Sequence, residues 1–157
     1  MSLCLCSEKC ANNSVLLFMF SIPGYTIAER LYESASSLIY RARRDADDLA
    51  VVLKILKKEY PTPEELARFE REYAITRQLS DIDGVIKAYS LETFDHTFVI
   101  VLEDISGRSL SSLLQEQSLS LETFLLLAIG IADVLGHIHQ RQVMHKDMNP
   151  ANIAILN

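Results

Sequence analysis

The sequence predicts an α+β fold, and three observations carry that prediction. First, three strand-like runs, one helix, two more strand-like runs and then only helices follow one another, a segregated rather than alternating order. Second, "LAVVLKIL" (Leu49 to Leu56) is β-branched and apolar apart from Lys54, as in a central strand buried on both faces. Third, "SLETFLLLAIGIADVLGHIHQ" is apolar nearly all round, as in a long buried helix capped by Ser120.

The elements follow in order. Residues 1–22 read as a leader. They hold all three cysteines, Cys4, Cys6 and Cys10, and the apolar run "VLLFMFSI". An odd cysteine count outside the expected core argues against a disulfide framework and fits a reducing cytoplasm. The C-x-C-x-x-x-C spacing has no fourth ligand nearby, so a chance tail outweighs a metal site. Neither this run nor Phe124 to Ile138 reaches the roughly 20 residues of a membrane span, and no membrane insertion is expected.

Strands are expected over Tyr25 to Tyr32, Ser37 to Arg43 and Leu49 to Leu56. A helix follows, with Thr62 as N-cap, Pro63 at its first position and Glu65 completing a capping box. Leu66, Phe69, Tyr73 and Thr76 recur at helical spacing until "DIDG" ends it. Strands are expected again over Val85 to Glu92 and Thr97 to Glu103, then a short helix from Ser109 and the long one after Ser120.

Composition sets the class. The 157 residues are 49% hydrophobic and 23% charged, a globular balance, with a net charge of −6. That charge argues against nucleic acid as partner.

Two sets of residues carry chemistry. Lys54 is a cation inside a buried strand, costly unless paired. It is either a lysine snorkelling at the sheet edge or one held in a cleft by a carboxylate, with Glu72 the candidate partner and Glu70 its rival on the same helix. Near the end of the chain, "HKDMNPAN" spaces Asp147 and Asn152 as a hydroxyl-orienting carboxylate and an oxygen donor for Mg²⁺. His145 reads as a scaffold residue beneath that loop.

With these residues in place, the chain over about residues 25 to 157 resembles the eukaryotic-type protein kinase fold. "VVLK" resembles the V-A-I-K strand, "VLEDISGRSL" the hinge and "HKDMNPAN" the H-R-D-L-K-P-x-N catalytic loop. The resemblance implies a small lobe over 23–103, a five-stranded antiparallel sheet with one helix, then a hinge and the first helices of the large lobe over 104–157, ending before a D-F-G. It implies ATP and Mg²⁺ as cofactors and a protein Ser/Thr hydroxyl as substrate. Asp147, Lys54 and Glu72 would take the catalytic positions. Leu31, Ile39, Val52, Lys54, Leu102 (the gatekeeper), Glu103, Ile105 and Asn152 would surround the nucleotide, with Asn152 on the metal.

"PGYTIAERLYESASSLIYRA", "PTPEELARFEREY", "IDGVIKAYSLE" and "HKDMNPANI" are similar, more narrowly, to the N-terminal kinase domain of cyanobacterial multi-sensor hybrid signalling proteins. That similarity implies downstream sensor or ATPase domains as partners in a longer parent.

The sequence departs from the family pattern at several positions. Tyr32, Ser34 and Ser37 stand at the glycines of the phosphate-covering loop, where the two serine hydroxyls could donate to phosphate instead. Val52 replaces the small residue beneath adenine. Lys146 cannot form arginine's bidentate fork. Asn149 removes a cation where negative charge develops. With no D-F-G, the chain alone is expected to be a fragment without kinase activity, exposing an apolar patch around Phe124, Leu127, Ile131 and Leu135. Two alternatives stand beside the kinase reading: a non-catalytic, pseudokinase-like module, and a small-molecule kinase of the aminoglycoside or choline type.

Overall fold

The computed structural model describes residues 21–156. The cysteines and most of the leader expected over 1–22 lie outside the described residues. Ile22 is described, and it is buried in the core, bridged to Tyr25.

Five strands form one antiparallel sheet: β1 (Tyr25–Glu33), β2 (Ser37–Arg44), β3 (Leu49–Leu56), β4 (Ala88–Phe94) and β5 (Thr97–Glu103), in the order β1-β2-β3-β5-β4. Helix α1 (Pro63–Gln78) connects β3 to β4. Beyond β5 come β6 (Arg108–Ser109), α2 (Leu110–Glu116), α3 (Leu121–Gln140), a 3-10 turn (Pro150–Asn152) and β7 (Ala154–Ile155), which pairs with β6.

β3 and β5 are central because their side chains serve both faces of the sheet. Val51, Leu53, Ile55, Val99 and Val101 point to one face and are fully buried, joined by Tyr25 and Ala42. On the other face Leu56 and Ile100 pack with Phe69 of α1, flanked by Tyr73, Leu91, Phe98 and Leu102. Val52 and Lys54 share this second face but are only half-buried. β3 is therefore not buried on both faces along its length. The part of its second face carrying Val52 and Lys54 is left partly open to solvent, and Glu72, whose carboxylate reaches Lys54, lines a cleft with Ile105 and Asn152.

Helix α1 begins at the expected capping box. Thr62 Oγ1 accepts from the Glu65 N–H (3.3 Å) and the Glu65 carboxylate accepts from the Thr62 N–H (2.9 Å). β4 starts three residues later than expected, since the Val85 N–H donates to the Ile82 carbonyl (3.1 Å) and keeps Val85 in a turn. Gly84 in that turn has φ +90°, and a Cβ there would lie 2.6 Å from Cγ2 of Val134 on α3, so the loop touches the long helix through a residue with no side chain.

The expectation of a buried α3 is not met among the described residues. Only Ile138 is buried, and Leu121, Phe124, Leu125, Leu126 and Ile129 are exposed. The helix is 20 residues long and holds an 18-residue stretch of mean hydropathy 1.7, long and apolar enough to cross a membrane by length and composition. The expected patch is divided. Phe124 is exposed, while Leu127, Ile131 and Leu135 are half-buried along a groove of about 1120 Å³ bounded by α1, α3 and the terminal loop.

Candidate active site

Strand register places Lys54 between Ile39 of β2 and Ile100 of β5. The apolar recurrence of α1 turns Phe69 into the sheet, and Glu72, three residues on, lies at the edge of the same face. The Lys54 ammonium pairs with the Glu72 carboxylate, not with Glu70. The two side chains are 20% and 45% exposed. An ion pair that wet contributes at most about 1 kcal/mol, so it fixes the direction of the ammonium more than it stabilises the fold.

Of the other expected nucleotide-facing residues, Ile39 flanks that cation in register, and the rest lie on β1, β3, β5, the connection beyond β5 and the terminal loop. Val52 is paired with Leu102 in register, and Ile39, Val52 and Leu102 are half-buried. Leu102 also packs against the Phe69 cluster. Leu31 is exposed, at an irregular stretch where the β1–β2 register shifts between Arg30 and Tyr32. Glu103 closes β5, its N–H donating to the Lys87 carbonyl at 2.9 Å. Ile105 follows, half-buried, in the connection to β6.

Sequence reasoning missed the clamp on this connection. The Asp104 side chain is 4% exposed and accepts from Nε of Arg41 (2.8 Å) and from the Ser106 N–H (2.8 Å). Arg41 also pairs with Glu29. The available signal was alternation: Arg41 lies two residues beyond Ile39 on β2 and so shares its cleft face. The connection is further fixed at Gly107, where a Cβ would sit 2.6 Å from the Ile155 carbonyl oxygen.

That close approach, the β6–β7 pairing and a Leu110 N–H to Ile153 carbonyl bond (2.8 Å) tie the terminal loop to the end of β5. Within the loop Lys146 has φ +59°, and the Asp147 N–H donates to the His145 carbonyl at 2.8 Å, a tight three-residue turn. Both Asp147 carboxylate oxygens are held. Oδ1 accepts from the Asn149 amide (3.0 Å) and Oδ2 from the Asn152 amide (3.0 Å), which also donates to the Asp147 carbonyl (2.9 Å). Asn149 caps the 3-10 turn through its Oδ1, which accepts from the Ala151 N–H at 2.9 Å. A carboxylate has about four acceptor positions, so Asp147 keeps capacity for a hydroxyl. His145 is exposed rather than packed beneath the loop.

The β1–β2 connection differs from the expectation. Ser34 Oγ accepts from the N–H groups of Ser36 (3.3 Å) and Ser37 (2.9 Å) and donates to the Ser37 carbonyl (3.2 Å). Its hydrogen is already committed, and Ser37 is buried. Ser34 does not present its hydrogen to the cleft.

A family model described as "Protein kinase domain" matches residues 25–157. A probable serine/threonine-protein kinase of Clostridium perfringens is 29% identical over 133 residues, covering 83% of this chain and 19% of that protein. The serine/threonine-protein kinase PrkC of Bacillus subtilis is 29% identical over 118 residues, covering 74% of this chain and 18% of its own length. The chain thus spans about a fifth of these relatives. The PknI kinase domain of Mycobacterium tuberculosis superposes with a TM-score of 0.70 at 23% identity, over 87% of this chain and 57% of that one, a likeness of fold.

Proposed function

The chain belongs to the protein kinase domain family, and from that premise we propose that it is a serine/threonine kinase domain whose cleft binds Mg-ATP through Lys54 and orients a protein hydroxyl through Asp147. The observation that carries the reading is the Lys54–Glu72 pair, which joins β3 to α1 at the cleft. Mg-ATP, when bound, supplies the transferable phosphoryl group and part of the charge neutralisation. Lys54 holds phosphate oxygens and Glu72 holds Lys54. Ile39, Val52 and Leu102 line the base, with Leu31 at its outer edge and the backbone of Glu103 and Ile105 meeting it. Asp147 accepts the hydrogen bond of the substrate hydroxyl.

Asn152 suits a share in Mg²⁺. Its amide nitrogen is committed to Asp147, and among the described residues no hydrogen bond engages its oxygen, a hard donor. No D-F-G lies in the 157 residues, so the metal role assigned here is that of Asn152 alone.

The setting we propose is cytoplasmic, within a longer signalling protein whose sensor or ATPase domains are the partners. The serine/threonine kinases among its relatives support the signalling role, and the motif similarity to multi-sensor hybrid proteins supports the finer placement. Asp133 on α3, with His137 beside it at 3.8 Å, disfavours a lipid-spanning role for that helix. A pseudokinase-like role has one specific observation in its favour, the self-satisfied Ser34 turn.

The test is a thermal-shift titration with Mg-ATP. Wild type is expected to gain stability with ligand concentration, and Lys54→Met to lose that gain while keeping its ligand-free Tm. An undiminished gain in Lys54→Met would overturn the assignment.

A further inference from the structure

We propose that Ser34 sets the phosphate affinity of this cleft by occupying, with its own hydroxyl oxygen, the backbone N–H groups that would otherwise receive a phosphate oxygen. The inference rests on the nucleotide-binding reading and deepens it. Consecutive backbone N–H groups in a tight turn form a concave anion site. Here the N–H groups of Ser36 and Ser37 converge on a single atom, Ser34 Oγ, at 3.3 and 2.9 Å. That oxygen accepts twice and donates once, to the Ser37 carbonyl, so it is fully used. The site is filled from within.

The turn is also braced against opening. The Ser34 N–H donates to the Ser37 carbonyl (2.9 Å), and the Lys57 N–H donates to the Ser36 carbonyl (2.9 Å). The Lys57 ammonium pairs with Glu33 (2.7 Å), so one residue beyond β3 grips both sides of the turn. Ser37 is 4% exposed and cannot swing away without leaving the sheet. An arriving phosphate must displace a neutral acceptor that is already in place. A charged oxygen makes the stronger hydrogen bond, but the internal hydroxyl needs no association step.

Removing the hydroxyl therefore strengthens binding of the phosphates and leaves binding of the base unchanged. Affinities for Mg-ATP and for adenosine are measured on the full chain for wild type, Ser34→Ala, Ser34→Gly and Ser34→Thr, with amide hydrogen exchange at Ser36 and Ser37. In Ser34→Ala and Ser34→Gly, ATP binding should tighten by about five- to tenfold, the worth of one charge-assisted hydrogen bond. Adenosine affinity should stay constant, and exchange at the two amides should quicken. Ser34→Thr keeps the hydroxyl and should match wild type. Unchanged or weaker ATP binding in both hydroxyl-free variants, with adenosine still bound, overturns the inference and leaves the nucleotide reading standing. Equal tightening in Ser34→Thr also overturns it. Failure of wild type and every variant to bind either ligand overturns the nucleotide reading and the inference together.

Discussion

The sheet and helix α3 are both strongly apolar, yet they bury their side chains to very different extents. In the sheet, Val51, Leu53, Ile55, Val99 and Val101 are 0% exposed. On α3, Leu121 is 74% exposed and Leu126 and Ile129 are each 66% exposed. The difference lies in geometry rather than composition. A pleated strand sends alternate residues to two faces, and here five strands with one helix close one face at β3 and β5 and part of the other. A helix that is apolar all round needs cover on every side, but among the described residues the Gly84 turn meets α3 at Val134 while Leu127, Ile131 and Leu135 line an open groove shared with α1 and the terminal loop.

The sharpest way to break this comparison is to truncate one leucine in each region. Leu53→Ala should lower the unfolding free energy by about 2–5 kcal/mol, the usual cost of a cavity in a closed core. Leu126→Ala should stay within about 0.5 kcal/mol, as at an exposed position. Denaturant titration of both variants checks the pair, and equal losses would mean that α3 is covered after all.

A smaller effect is expected where the two regions meet. Gly84→Ala places a methyl against Val134 and forces a side chain onto a backbone with φ +90°. Valine is stiff about χ1 and cannot easily give way. The expected loss is about 1–3 kcal/mol, and Val134→Ala in the same chain should recover the part due to crowding but not the part due to φ. A double-mutant cycle separates the two.

The smallest effect concerns acid. Lys57 beside Glu33, Arg44 beside Asp47, Lys58 beside Glu65 and Arg141 beside Asp81 each hold the carboxyl below its ordinary value. The folded chain thus binds these protons less tightly than the unfolded chain. Their stabilisation is complete above the ordinary carboxylate range, near 3.8 for Asp and 4.5 for Glu, and is lost as pH falls through the lowered folded values. Tm should drop on acidification below about pH 4, and Arg141→Met should flatten the part of that slope due to Asp81. All four groups are exposed, so the effect is small and salt should reduce it.

The family and fold were legible because their signals are local. The β-branched run marks β3, the T-x-x-E box marks the start of α1, and Lys54 stands out as a cation in an apolar strand. The spacing of Asp147 and Asn152 survives in a loop because the backbone between them has few ways to turn, with Pro150 opening a 3-10 turn capped by Asn149. The spacing of Glu72 three residues after Phe69 favours it over Glu70, and the pairing is fixed when Phe69 enters the sheet and orients α1. Other features were not legible, because they depend on which distant atoms meet. Arg41 and Asp104 are far apart in sequence and meet because strand register aligns Arg41 of β2, Val52 of β3 and Leu102 of β5 in one row, two residues before Asp104.

By itself, then, the sequence determined the elements, their order and the identity of the chemical groups, because capping, periodicity and side-chain type act over a few residues. Tertiary structure alone decided that Arg41 clamps Asp104, that Val52 and Lys54 are left half-buried, and that α3 keeps its apolar side exposed among the described residues. Those outcomes depend on the register between strands and on what covers each face, and neither is a property of a short stretch of chain.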